Sequence, residues 1–278
     1  MLRNRRNRPS IGSRGTGDAL YRRRVTSALA WTDDTTFRLN DVEYVCRPFR
    51  NRVPSSAERF CLLKAKWSVE LYEQVLAELA PRRIVEVGIY DGGSTALFLE
   101  LARPEKLLTL DVKEHGSAAL EAFLARHPQG DRVANYYGVD QADAARVRAI
   151  VDSEFGDDSI DLVVDDASHR VGETRATFNA LFPRVRPGGT YLIEDWSWAH
   201  SPLPVRVDET PLTVFVFELV VACANRPDVL TEVAVNRGWA RVRRGPAPLD
   251  DAFDVAALID ARGRALLPSA NDVATSGA

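Results

Sequence analysis

The sequence predicts an α/β fold built on a doubly wound, Rossmann-like sheet. Three observations support this class. Five apolar runs of strand length lie between residues 82 and 196, and segments with helical apolar spacing alternate with them. This alternation is typical of parallel strands with helices on both faces of the sheet. After the fifth strand, an apolar helix leads into two strands joined by a tight turn at Asn236-Arg237-Gly238, which adds an antiparallel edge.

The elements follow one another in a regular order. TFRL and VEYVC flank Asn40-Asp41, which tolerates the left-handed conformation of a hairpin turn. Residues 57–80 carry helical apolar spacing, which predicts one helix. Three residues of that helix are expected near the cleft mouth without an assigned role: Lys64, Lys66 and Trp67. The strands of the main sheet are RRIVEVG, LLTLDV, ANYYGV, SIDLVVDD and TYLIEDW, the helices after the first four are STALFLELAR, AALEAFLARH, AARVRAIVDS and GETRATFNALFPRV, and the closing strands are LTEVAVN and GWARVRRG.

Charge is unevenly distributed along the 278 residues, whose net charge is -3. Residues 1–24 hold eight Arg and one Asp, and their low apolar content favours a disordered leader over a nucleic-acid-binding arm. No apolar run approaches the ~18 residues that span a bilayer, and no apolar segment follows the first arginines as in a secretory signal. Cys46, Cys61 and Cys223 lack metal-ligand spacing and indicate reduced thiols of a cytoplasmic protein.

Four segments are expected along the chain. They are a disordered basic leader, an N-terminal extension with a β-hairpin, the main α/β domain and a C-terminal tail that is partly disordered. Their expected bounds are 1–25, 26–58, 59–246 and 247–278. The hairpin near the N-terminus offers a candidate subunit contact, so a homo-oligomer stays open.

EVGIYDGGS, from Glu86 to Ser94, links the first strand of the main sheet to its helix. Glycines there let a ligand approach the backbone, and the helix N-terminus supplies free N–H groups. Tyr90 and Asp91 stand where a dinucleotide-binding turn needs glycine and open space, which disfavours a dinucleotide. Glu86 suits a cationic or amino-bearing group, and Asp111 at the end of the second strand suits a ribose diol. The turn and the two acids together predict a nucleoside ligand.

Acidic residues end the fourth and fifth strands. Asp165-Asp166 is followed by His169, and the fifth strand ends in Glu194-Asp195. A cap for the next helix explains Asp166 or Ser168 taken alone. The carboxyl ends of parallel strands lie at one edge of the sheet, however, and so much like charge at that edge calls for a positive partner. Oxygen ligands without cysteine favour a hard ion, Mg²⁺, with Mn²⁺ or Ca²⁺ as alternatives.

This order of elements, with its closing hairpin, resembles the class I S-adenosylmethionine-dependent methyltransferases over residues 60–245. The resemblance implies the strand order 3-2-1-4-5-7-6 and S-adenosylmethionine as cofactor, with Asp111 on its ribose and Asp140-Gln141 near its adenine. Tyr90 replaces the middle glycine of the usual turn, as in a metal-dependent branch whose turn ends in G-G-S. The implied cofactor-binding residues are Glu86, Gly88, Tyr90, Asp91, Gly92, Ser94, Asp111, Asp140, Gln141 and Asp165.

D-D-x-S-H on the fourth strand and E-D on the fifth resemble the Mg²⁺-dependent sugar O-methyltransferases of macrolide biosynthesis and the related cephalosporin-hydroxylase-like and rhamnosyl O-methyltransferase proteins. Carried over by position, the metal ligands are Asp166, Glu194 and Asp195, the general base is His169, and Asp165 faces the cofactor. The implied activity is methyl transfer to a metal-bound hydroxyl that His169 deprotonates, a sugar hydroxyl of a natural product or glycolipid. Three residues in the following loop are candidate walls of an acceptor pocket, or packing of a lid: Trp196, Trp198 and His200.

Two alternatives stay open. In the first, the chain is a methyltransferase whose acceptor is a phenol, a catechol or an amine. In the second, it is a non-catalytic cofactor-binding or nucleic-acid-associated protein that uses its basic leader. Against nucleic acid, the loop after the fourth strand reads DDASH and lacks the Asn/Asp-Pro-Pro-Tyr/Phe tetrapeptide of base N-methylation. We therefore expect a small-molecule, glycosylated acceptor and no membrane span.

Overall fold

The computed structural model describes residues 27–200 and 210–267. The predicted leader and the end of the predicted tail lie outside the described residues. Within the described part, the strands are β1 (Ala30–Trp31), β2 (Thr36–Leu39), β3 (Val42–Cys46), β4 (Arg59–Leu62), β5 (Arg83–Val87), β6 (Lys106–Leu110), β7 (Val133–Tyr136), β8 (Ile160–Asp165), β9 (Val185–Glu194), β10 (Leu230–Val235) and β11 (Trp239–Arg244). The α-helices are α1 (Lys66–Leu79), α2 (Gly93–Ala102), α3 (Ala118–Arg126), α4 (Ala144–Phe155), α5 (Val171–Leu181), α6 (Leu212–Asn225) and α7 (Ala261–Leu266).

The main sheet has seven strands in the order β10-β11-β9-β8-β5-β6-β7. The five strands from β9 to β7 run parallel, and β11 pairs antiparallel with both β9 and β10. Counted along the chain within this sheet, the order is the 3-2-1-4-5-7-6 implied by the resemblance. The doubly wound sheet and its antiparallel edge are therefore confirmed.

Both faces of the main sheet are covered by helices. The core on one face takes its side chains from α4, α5 and α6, and the other takes them from α1, α2, α3 and strands β2 to β4. Because the central strands are buried on both sides, they are apolar almost throughout, and all six residues of β8 are buried. Burying each apolar side chain of this kind contributes ~1.5–3 kcal/mol to the stability of the domain.

A second, four-stranded sheet in the order β1-β2-β3-β4 packs beside α1 to α3. The predicted hairpin is confirmed, with TFRL and VEYVC paired around Asn40, whose φ is 51°. The prediction of one helix over 57–80 is wrong for its first part, because Arg59–Leu62 is a strand parallel to β3. Phe60 and Leu62 bury their side chains in the core under this sheet, and that non-local packing decides the conformation.

The described part of the tail is folded against the main domain. Val255 and Ile259 are buried in the core that α6 helps to form, and a short 3-10 helix, Val255–Leu258, precedes α7. None of the helices in the described ranges is long and apolar enough to cross a membrane.

The parallel pairing brings the acidic strand ends together. Asp165 at the end of β8 pairs with Val87 of β5 on one side and with Ile193 of β9 on the other. Asp166, Glu194 and Asp195 therefore emerge at the same edge of the sheet as the glycine-rich turn after β5. Parallel α/β sheets bind ligands at this carboxyl edge.

Candidate active site

The turn between β5 and α2 packs directly against the end of β8. Gly88 has a φ of 99°, and a Cβ at this position would lie 2.2 Å from the carbonyl oxygen of Asp166. The N–H of Asp166 donates to the carbonyl oxygen of Val87 at 2.8 Å. A side chain cannot fit between these two backbones, so the glycine allows the turn and the acidic strand end to form a single site.

Asp111 holds the turn from the neighbouring strand end. Its Oδ2 accepts the N–H groups of Ile89 and Tyr90 at 2.8 and 2.9 Å, and its Oδ1 accepts the N–H of Lys113 at 2.9 Å. These bonds accompany a left-handed conformation at Tyr90, whose φ is 49°. The acid predicted to bind a ribose therefore also fixes the backbone of the turn.

The other residues of the turn lie around the start of α2. Asp91 Oδ2 accepts a hydrogen bond from the Ser55 hydroxyl at 3.0 Å, which ties the turn to the segment before β4. Gly92 precedes α2 with a φ of 84°, and Ser94 lies in the first turn of the helix. The α2 N-terminus with its unpaired N–H groups thus opens at the same edge as the acids.

Glu86 is a fully buried carboxyl beneath the turn. The Thr95 hydroxyl donates to its Oε2 at 2.6 Å, whereas its Oε1 is buried without a hydrogen-bond partner among the described residues. Burial raises the pKa of Glu86 to about 7. An unsatisfied buried carboxyl oxygen costs free energy unless a ligand supplies a donor, so Glu86 marks a place for an ammonium or hydroxyl group.

Asp165 and Gln141 bind each other in the interior. Gln141 Nε2 lies 3.2 Å from Asp165 Oδ1, its Oε1 accepts the N–H of Ser168 at 2.8 Å, and the Tyr191 hydroxyl donates to Asp165 Oδ2 at 3.0 Å. Asp165 is 2% exposed, and burial raises its pKa to about 7. These bonds hold the loop after β8 in place. Asp140 is exposed beside them, and the assignment of all three to cofactor binding stays a prediction.

A lysine occupies the centre of the acidic cluster. Lys64 Nζ lies 2.8 Å from Asp166 Oδ2 and 2.8 and 2.7 Å from the two oxygens of Glu194. Burial lowers the pKa of Lys64 and the two carboxylates raise it, and the net shift is upward, so the lysine is charged. Sequence reasoning expected Lys64 near the cleft mouth but assigned it no role, because nothing in the sequence shows that its ammonium lies between two acidic strand ends.

His169 lies between Asp166 and Asp195. Its Nε2 is 3.9 Å from Asp166 Oδ1 and 4.0 Å from Asp195 Oδ2. One ligand atom from each of these three residues lies within 4.8 Å of the others, a spacing that could hold a metal ion. Burial lowers the pKa of His169, which keeps its imidazole neutral. Burial and the nearby Asp166 and Glu194 carboxylates raise the pKa of Asp195 to about 7.

The three aromatic and histidine candidates lie in different surroundings. The Trp198 ring packs on His169 with a centroid distance of 4.6 Å, and 46% of Trp198 is exposed. Trp196 Nε1 donates to the carbonyl oxygen of Asn236 at 2.9 Å, and His200 Nε2 lies 2.7 Å from the Thr213 hydroxyl of α6. Only Trp198 of these three lies against the acid–histidine cluster in the contacts described, so it is the first candidate for an acceptor contact.

The fold and the site together define the class of protein. Residues 85–196, from the first strand of the main sheet to the loop after β9, match a family model described as a methyltransferase domain. The matched range contains the glycine-rich turn, Asp111, His169 and both acidic strand ends. The chain therefore carries a methyltransferase domain.

Two curated relatives are similar to part of this chain. Mycinamicin VI 2''-O-methyltransferase of Micromonospora griseorubida is 38% identical over an alignment of 104 positions, and the alignment covers 32% of this chain and 25% of that relative. The 8-demethyl-8-alpha-L-rhamnosyl tetracenomycin-C 2'-O-methyltransferase of Streptomyces olivaceus is 31% identical over an alignment of 150 positions, and the alignment covers 49% of this chain and 36% of that relative. The chain thus spans only about a quarter to a third of the length of these relatives.

One solved structure of similar fold contains ligands. It is the MycE methyltransferase from the mycinamycin biosynthetic pathway in complex with Mg, SAH and mycinamycin VI, with 26% sequence identity and a TM-score of 0.50. The similarity covers 64% of this chain and 50% of that one. Homology to the macrolide and rhamnosyl sugar O-methyltransferases, expected from the two acidic motifs, is confirmed at this distant level.

Proposed function

We propose that this chain transfers the methyl group of S-adenosylmethionine to a hydroxyl oxygen, with a sugar hydroxyl of a glycosylated natural product as the acceptor and a divalent metal ion as a second cofactor. The observation that carries the proposal is the contact of Gly88 with the backbone of Asp166. This contact makes the predicted cofactor turn and the acid–histidine cluster two walls of one site. The relatives named as O-methyltransferases of mycinamicin VI and of a rhamnosyl tetracenomycin support the choice of acceptor.

The residues around the turn fit S-adenosylmethionine. The unpartnered, buried Oε1 of Glu86 suits the ammonium of the methionine part, which donates the hydrogen bond that this oxygen lacks. Asp111 retains acceptor capacity for a ribose diol beyond its three backbone bonds. The turn residues Gly88, Tyr90, Asp91, Gly92 and Ser94 would line the backbone approach, with Asp140, Gln141 and Asp165 toward the adenine end.

The acidic cluster fits a hard divalent ion, Mg²⁺ before Mn²⁺ or Ca²⁺, because the proposed donors are carboxylate oxygens. The proposed ligands are Asp166, Glu194 and Asp195. When bound, such an ion supplies Lewis acidity, which makes a hydroxyl easier to deprotonate.

His169 is the proposed base. Its lowered pKa leaves the imidazole neutral and able to accept a proton, and its Nε2 lies at the edge of the acid cluster. The acceptor oxygen forms a bond to the methyl carbon as the carbon–sulfur bond breaks, the proton goes to His169, and S-adenosylhomocysteine leaves. Trp198 beside His169 would hold the apolar face of a sugar ring.

Paired acceptors test this proposal. Labelled S-adenosylmethionine is incubated with the protein, Mg²⁺ and glycosylated natural products, each compared with its own aglycone. We expect label in the glycosides alone, its loss with excess EDTA, and its return when Mg²⁺ is restored; EDTA already saturated with Mg²⁺ is the control. Label in aglycones would support a phenolic acceptor instead, and a protein that does not bind the labelled cofactor at all would contradict the proposal.

A further inference from the structure

Lys64 lies in the connection after the N-terminal sheet, and its side chain reaches the acidic cluster at the edge of the main sheet. It follows β4 and precedes α1, and its side chain is 8% exposed. Its Nζ has three carboxylate oxygens within hydrogen-bond distance, one from Asp166 and two from Glu194. An ammonium has three N–H groups, so these three acceptors occupy it fully.

The lysine divides the acids into two groups. Both oxygens of Glu194 face the ammonium, and the Glu194 side chain is 5% exposed, so another cation must compete with Lys64 for these oxygens. The Oδ2 atom of Asp166 accepts a hydrogen bond from Lys64, and its Oδ1 atom faces His169. Asp195 Oδ2 lies beside the same nitrogen of His169.

We propose that Lys64 is a resident cation that withholds Glu194 from the divalent ion. The ion then binds first through Asp166 and Asp195, and it reaches Glu194 only when the lysine ammonium moves away. This inference rests on the metal dependence in the proposed function and deepens it. Because two cations in a poorly solvated cluster repel each other far more than in water, Lys64 keeps the ion weakly bound and exchangeable.

A structural role for Lys64 gives a different expectation. A lysine that only joins the ends of β8 and β9 would, once removed, destabilise the domain and leave two uncompensated carboxylates. If Glu194 is not a latent ligand of the ion, removal of Lys64 leaves the Mn²⁺ affinity unchanged, or lowers it where the cluster loosens. The two roles therefore differ in the ion affinity of variants that still fold.

Mn²⁺ binding to the full chain measures this affinity without reference to turnover. Free Mn²⁺ is followed by electron paramagnetic resonance, in the absence of S-adenosylmethionine, for the wild type, Lys64→Met and Lys66→Met. Lys66 is the matched control, since its Nζ pairs at 3.4 Å with the exposed Asp34. We expect Lys64→Met to bind Mn²⁺ about tenfold more tightly or better, and Lys66→Met to bind as the wild type does.

A second substitution tests whether the tighter Mn²⁺ binding expected for Lys64→Met depends on Glu194. Glu194→Gln is measured in both backgrounds, and the four proteins form a double-mutant cycle. We expect it to change the Mn²⁺ affinity less than about threefold beside Lys64, and to weaken it about tenfold or more in Lys64→Met. Thermal unfolding checks that every variant is folded, and Lys64→Gln replaces Lys64→Met if the latter does not fold.

Each outcome decides between the roles. Unchanged or weaker Mn²⁺ binding in a folded Lys64→Met protein overturns this inference and leaves the metal part of the proposed function standing. Equal losses from Glu194→Gln in both backgrounds also overturn it. No Mn²⁺ binding by any of the proteins overturns both this inference and the metal dependence.

Discussion

Three residues of the site are held in a backbone conformation that residues with a side chain rarely adopt. Tyr90, His169 and Asp195 have φ values of 49°, 56° and 53°, in the left-handed region that disfavours residues with a Cβ. Such positions cost about 1–3 kcal/mol each and persist only where surrounding contacts impose them. The N–H of Asp195, for example, donates to the carbonyl oxygen of Gly238 at 2.7 Å. The sequence shows which residues these are, but it cannot show a strained φ, because the strain comes from distant partners.

Replacing His169 tests the chemistry at this scale. We expect His169→Ala to lower kcat about 10²–10⁴-fold, because the positioned base is lost, while the affinity for S-adenosylhomocysteine in calorimetry stays near that of the wild type. His127→Ala is the control, since His127 lies at the end of α3 beside Glu100 and outside the acid cluster. Turnover within about tenfold of the wild type in His169→Ala would place the base elsewhere.

Among the elements, periodicity predicts those whose contacts are local or repeated. The alternation of apolar strands and helices predicted the main parallel sheet, and the family resemblance supplied its strand order, which brings Asp166 and Glu194 together. It failed at Arg59–Leu62, where the spacing of apolar residues fits a helix and a strand equally well and only pairing with β3 selects the strand. Lys64 follows that strand, so the helix expected over 57–80 placed it near the cleft mouth but could not show its contacts with Asp166 and Glu194.

The junction of the β5 turn with β8 gives a prediction about an element. Gly88→Ala would force a Cβ within 2.2 Å of the Asp166 carbonyl oxygen at a φ of 99°, so we expect a loss of about 2 kcal/mol or more in the free energy of unfolding. Gly172→Ala is the matched control, because Gly172 lies in α5 with nothing within 4 Å of an added Cβ, and alanine there favours the helix. Equal melting temperatures of the two variants would contradict the close packing.

For the whole molecule, the site places several buried carboxyl groups at one edge of a well-packed sheet, where their ionisation is unfavourable. Burial raises the pKa values of Glu86, Asp165 and Asp195 to about 7, so ionising these groups opposes folding. Ligands that bring positive charge or hydrogen-bond donors to this edge would relieve that opposition. The stability of the ligand-free protein should therefore depend on pH in a direction set by the site.

The contribution of Glu86 to this pH dependence of stability can be measured separately. Its pKa is 4.5 in its ordinary state and about 7 in the fold, so between these values the folded protein holds a proton that the unfolded chain has released. Its contribution is therefore fully present below pH ~4.5 and is lost as the pH rises through ~7. Denaturant unfolding at pH 5 and pH 8 should show the wild type losing up to about 3 kcal/mol more than Glu86→Gln.

The same unfolding measurement is repeated in the presence of saturating S-adenosylmethionine. An ammonium beside Glu86 favours the ionised carboxylate, so the bound cofactor should shrink the difference in pH dependence between the wild type and Glu86→Gln. Identical pH profiles of the two ligand-free proteins would show that Glu86 ionises as easily in the fold as in the unfolded chain. A difference that the cofactor leaves unchanged would instead separate Glu86 from the ammonium, and the cofactor would then have to bind the turn through Asp111 and the α2 N-terminus alone.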